Sequence, residues 1–143
     1  MRAKAEFRAL REMLGLMQKD VADMLEVNLR SVKRWESPAS PDNIPPQEAW
    51  DMLDELMEDQ RQVIAFTLAK VDEIAQKQGN YPEQVTLPYW ASQDEYDKYH
   101  SADDGGSSRE ANATTRLVAY ALAERGIKVA FIDGKDNQVP KQA

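Results

Sequence analysis

Four cations, Lys19, Arg30, Lys33 and Arg34, fall within "KDVADMLEVNLRSVKRWES" (residues 19–37) of a chain whose net charge is −7. Guanidinium and ammonium groups gathered like this suit a polyanion. Arginine can offer two parallel donors to guanine O6 and N7 or clamp a phosphate, and lysine supplies a point charge. Two other places could tempt a chemical reading. His100, the only histidine, stands near Tyr96, Tyr99, Asp103 and Asp104, but one histidine beside loop carboxylates lacks metal-ligand spacing. "DDGGSS" lacks the strand and lysine that a phosphate-binding loop requires. No nucleophile motif is present, so neither an enzyme, a cofactor nor a bound metal is expected.

The charge is unevenly distributed. Residues 1–37 hold eight Lys/Arg and six Asp/Glu, a net +2, and the remainder carries −9. "EAWDMLDELMED" (48–59) has six acids and no base and reads as a solvated helix face. A basic end on an acidic body suggests an anionic partner met at that end alone. The chain has no cysteine, which fits a cytoplasmic protein. No apolar run approaches the roughly 20 residues of a membrane span, so no membrane role is expected. "MRAKAEFRAL" does not read as an export signal.

The elements that must position the cations are legible from periodicity. Phe7, Leu10 and Leu14 form a helical stripe that stops at Gly15, and Val21 with Leu25 continues the pattern in a second helix. "EVN" interrupts it. Asn28 suits the N-cap of a third helix over 29–36, which "SPASPDNIPP" cannot extend because its prolines lack the N–H and clash with the preceding turn. A long helical region over 47–78 comes next, with a possible break near Asp59-Gln60 where the apolar stripe thins, and Gly79-Asn80 ends it.

From Tyr81 the pattern changes. "VTLPYW" (85–90) predicts a strand. "SQDE" (92–95) and "SSRE" (107–110) are capping boxes that open two helices, the second closed by Gly126, and "IKVAFI" (127–132) predicts a second strand with a polar, frayed tail after Asp133. The expected fold class is therefore mostly α with a small β component (α+β). Residues 1–58 would form an all-helical head that carries the cations, 59–80 a connecting helix and 81–143 a β-α-α-β region suited to dimerisation. Two strands alone are marginal in water. Pro88 pushes the first toward a sheet edge, and the second needs a further neighbour, which a symmetry mate could supply.

On the third helix, about 100° per residue from Leu29 places Val32 near 300° and Trp35 near 240°, with Lys33, Arg30 and Arg34 between about 40° and 140°. The three cations thus lie opposite the apolar face, as a ridge on an exposed helix that fits the DNA major groove.

The window 18–37 resembles the helix-turn-helix of the Cro/repressor-like (XRE) superfamily. Gln18 stands at the first position of that pattern and Ala22 at the fifth. Val21, Leu25, Val27, Val32 and Trp35 fill its apolar positions. One residue departs: the family prefers Gly at the ninth position, in the turn, and this chain has Glu26. A non-Gly residue in a left-handed turn costs about 1–2 kcal/mol. The resemblance implies that Gln18 and Asn28 touch phosphates. It also implies that Leu29, Arg30, Lys33 and Arg34 reach toward bases, Leu29 against a thymine methyl.

The order of elements in the second half resembles a group of small bacterial and phage regulators that includes repressors encoded beside anti-CRISPR genes. The expected protein is a homodimeric, sequence-specific repressor on double-stranded DNA. Two alternatives stay open: an antitoxin-type regulator with a further protein partner, and an interaction adaptor that keeps the fold without DNA binding.

Overall fold

The computed structural model describes residues 1–100 and 106–137. It is mostly helical with one small sheet. In chain order the elements are α1 (Lys4–Met13), α2 (Gln18–Leu25), α3 (Leu29–Glu36), α4 (Gln47–Gln78), β1 (Gln84–Tyr89), α5 (Gln93–Tyr99), α6 (Ser108–Glu124), β2 (Lys128–Asp133) and a 3-10 turn (Gly134–Asp136). They divide into two compact units, Met1–Arg61 and Gln62–Ala143. Among the described residues, no helix is long and apolar enough to cross a membrane.

The first unit is organised around Phe7, whose ring is fully buried. Trp35 of α3 and Trp50 of α4 both meet it edge to face, with centroids at 6.0 and 5.1 Å. That geometry sets a positive ring edge against a negative ring face. Leu14, Leu16, Val21, Ala22, Val32, Leu53 and Met57 complete this core. Two of the three short helices end in the same way. After α1, Gly15 takes a positive φ and the Leu16 N–H returns to the Arg11 carbonyl; after α2, Glu26 does so and the Val27 N–H returns to the Ala22 carbonyl. Each bond reaches back to a carbonyl of the last helical turn and closes the helix end.

α4 runs unbroken through Asp59-Gln60, contrary to the expected interruption. The apolar stripe thins there because Gln60 occupies a core-facing position. It is buried, and its Nε2 donates to the Met13 carbonyl at 3.0 Å, satisfying the end of α1.

In the second unit β1 and β2 pair in parallel, with Val85 opposite Val129 and Leu87 opposite Phe131. Parallel strands need a long crossover, and α5 and α6 supply it. Ser92 and Ser107 cap these helices as expected, accepting from the Glu95 and Glu110 N–H groups at 3.1 and 3.2 Å. Val118 and Leu122 of α6 pack with Val71, Ile127, Val85, Leu87 and Val129. Asn112 fastens α6 to the exit of β1 by bonding both the N–H and the carbonyl of Trp90, each at 2.8 Å.

The segment after Asp133 also differs from expectation, for it continues into the 3-10 turn. Gly134 lies so close to the Trp90 ring that a Cβ would come within 2.4 Å of it. Ring contact and the absence of a side chain, rather than polarity, order this stretch. Residues 138–143 lie outside the described residues.

Candidate nucleic-acid interface

α2 and α3 are joined by two residues in addition to the α3 N-cap. Glu26 adopts φ 55° and ψ 43°, so the left-handed turn forms without the glycine that is cheapest there. Asn28 then returns the backbone to an extended conformation (φ −67°, ψ 140°) and occupies the N-cap of α3. The N-cap position is the expected one; the side chain makes no capping bond there and its exposed amide is left available.

α3 is two-faced, as its spacing requires. Val32 and Trp35 are buried, whereas Leu29, Arg30, Lys33 and Arg34 are exposed. The Lys4 ammonium ties the far end of this helix to α1, donating to the carbonyls of Arg34, Ser40 and Asn43. The helix is thereby held at its C-terminus as well as along its apolar face.

Gln18 is half-buried at the start of α2, and its Nε2 donates to Glu36 Oε1 at 3.2 Å. The same carboxylate receives a bidentate pair from Arg11, at 2.7 and 2.8 Å, and Arg11 also donates to the Leu16 carbonyl at 2.8 Å. Only 10% of the Arg11 side chain and 4% of the Glu36 side chain are exposed. This network joins α1, α2 and the end of α3, and sequence reasoning missed it. One signal was available: Arg11 sits four residues after Phe7, inside the apolar stripe of α1, where an unpaired cation would be costly.

The cations of the first unit sort into two groups. Arg2 pairs with Glu6 and Asp54, Arg8 with Glu12, Arg11 with Glu36 and more distantly Glu12, Lys19 with Asp23 and Arg61 with Glu58, while Lys4 is held by three carbonyls. The hydrogen bonds from Arg2 hold the Asp54 carboxyl below its usual range, and Asp23 raises Lys19. Arg30, Lys33 and Arg34 form no ion pair among the described residues. Lys33 and Gln18 also border an open concavity of about 410 Å³ shared with Arg8, Glu36 and Ser37.

His100 belongs to a different kind of cluster. Its ring stacks on Tyr96 at 4.3 Å and meets Trp90 edge to face at 6.0 Å. Asp103 and Asp104 lie outside the described residues. Among the described residues no group of three or more His, Cys, Asp or Glu could hold a metal.

A tight pair of helices, the second offering a cationic outer face, defines a small regulator of helix-turn-helix type. Residues 1–106 match the Aca2/YdiL-like family, and the chain belongs to that family. No curated protein matches the chain.

Proposed function

We propose that this protein is a sequence-specific double-stranded DNA-binding repressor that inserts α3 into the major groove. One observation carries the reading: of the eight Lys/Arg in residues 1–37, the three without an internal partner among the described residues share the exposed face of one helix. A merely solvated basic surface would scatter such groups. Arg30, Lys33 and Arg34 face the base edges and flanking phosphates, Leu29 meets a thymine methyl, and Gln18 and Asn28 donate to the backbone. Glu36 uses one N–H of the Gln18 amide, so the other remains for a phosphate. The acidic remainder of the chain repels DNA and penalises wrong orientations.

We further propose that two copies act together, because one such head touches few bases. β2 has β1 on one edge, and pairing across its other edge with the same strand of a second copy would give a four-stranded sheet. The bound site is then an inverted repeat with half-sites about 34 Å apart or a multiple of that.

Selection from random duplex DNA with the full chain tests the first proposal. An enriched inverted repeat is expected, with affinity falling as salt rises by up to about 2.7 log units per log unit of salt from these three cations in each head. Arg30→Ala and Arg34→Ala should each weaken binding to the selected site by about 1–3 kcal/mol while the helical circular dichroism stays unchanged. Wild-type affinity in both variants would overturn the assignment of α3. Light scattering on the full chain tests the second proposal, and a monomer at the concentrations that bind DNA would refute the paired arrangement.

A further inference from the structure

Beyond the carboxyl ends of β1 and β2 the second unit opens into a cavity of about 740 Å³. Its origin lies in the strand register. In-register parallel neighbours point to the same face, so Val85 with Val129, Leu87 with Phe131 and Tyr89 with Asp133 share one side of the sheet. α4 and α6 cover the beginning of that side, where Val85, Leu87 and Val129 pack. α6 stays beside the end of β1 through Asn112 and Arg116, but on β2 Phe131 is left 52% exposed. Tyr89, Arg116, Phe131, Ile132, Asp133 and Asp136 line the space. Open parallel α/β sheets bind ligands in this kind of place, where the chains leave the strand ends and a crevice remains.

The chemistry of the lining narrows the ligand. Arg116 donates to the hydroxyl of Tyr89, a neutral acceptor. Asp133 and Asp136 border the same cavity, yet among the described residues neither forms an ion pair with Arg116. The guanidinium is therefore held in place with donors to spare, and the carboxylates stay separate from it. The same lining has an apolar part, in which Tyr89 and Phe131 meet edge to face at 6.0 Å. A ligand carboxylate suits Arg116, an ammonium group suits the two aspartates, and a flat apolar group suits the exposed ring of Phe131. A dianion would meet repulsion from Asp133 and Asp136, and a simple cation would meet Arg116.

We propose that this cavity binds a small zwitterion carrying an aromatic group, of the aromatic α-amino acid class. The site lies wholly within the second unit, and the proposal does not depend on DNA reading.

The test is a titration of the full-length protein with L-phenylalanine, followed by amide proton–nitrogen NMR, with benzoate and phenethylamine in parallel. Saturable shifts confined to the cavity lining are expected, with a dissociation constant of about 1 mM or tighter for a molecule of this size. Benzoate and phenethylamine, each with one charge missing, should bind roughly tenfold more weakly. Arg116→Gln and Phe131→Ala should each lose about tenfold, with a native spectrum elsewhere, because both side chains are exposed and leave the core untouched. Tyr120→Ala removes an exposed aromatic on α6 that does not line the cavity, and should bind as the wild type does. The proposal is overturned by shifts that never saturate, by benzoate binding as tightly as L-phenylalanine, or by Arg116 and Phe131 variants that bind normally. It is equally overturned if L-phenylalanine lowers the mass seen in light scattering at fixed protein concentration, which would make a second copy the occupant that the ligand displaces.

Discussion

Glu36→Gln isolates the buried network beneath the interface. In the native protein the Arg11 guanidinium makes two bonds to the Glu36 carboxylate and one to the Leu16 carbonyl, and little of either side chain reaches solvent. An amide of nearly the same shape removes the negative charge and one acceptor but leaves the cation buried. The exposed Glu12 carboxylate, 3.8 Å from Arg11, offsets only part of that charge, and breaking such a pair from one side costs up to about 3–5 kcal/mol. That is a large share of the roughly 5–15 kcal/mol that stabilises a typical domain. The exposed pair Arg8–Glu12 lies on the same helix with side chains 65% and 54% exposed, and Arg8→Ala should leave the unfolding midpoint close to that of the wild type. Urea unfolding of the full chain, followed by tryptophan fluorescence, compares the two, since Trp35 and Trp50 report on the first unit. The double replacement Arg11→Met with Glu36→Met should recover most of the loss, because neither charge then remains buried. If Glu36→Gln costs less than about 1 kcal/mol, or the double variant is no better than the single, the pair is not acting as a buried ion pair and the reasoning fails.

Glu26→Gly should stabilise the first unit by about 1 kcal/mol, since glycine occupies φ 55° without the Cβ conflict; a melting temperature below wild type would refute it. Trp35→Ala should cost about 3–5 kcal/mol by opening a cavity beside Phe7, and near-native stability in thermal melts would place Trp35 outside the core. Asp72 is held below its usual pKa by hydrogen bonds from Arg125 and then Tyr81. A depressed carboxyl contributes stability that is complete above its unfolded pKa of about 3.9 and is lost as pH falls toward the lower folded value. The stability gap between wild type and Asp72→Asn should therefore be present at neutral pH and close in acid. A gap that persists unchanged far below pH 4 would refute the assignment.

Much of the fold was legible because it rests on local rules. Three-and-four spacing placed α1 to α3, the Ser-x-x-Glu boxes opened α5 and α6 at the right residues, and β-branched runs located both strands. The division of α3 into an inner face and a cationic outer face also came from angle alone, since 3.6 residues per turn leave the two sets no other choice. Non-local partners were not legible. That a buried Gln60 satisfies the end of α1 depends on two residues far apart in the chain meeting. Asn28 takes the N-cap of α3 as its type suggested, but whether its side chain bonds there is decided by the packed turn, and it does not. Sequence showed eight cations in the first 37 residues, but ion pairing is a matter of distance in space. Only the tertiary structure divides them into those held by carboxylates or carbonyls and the three left facing outward on α3.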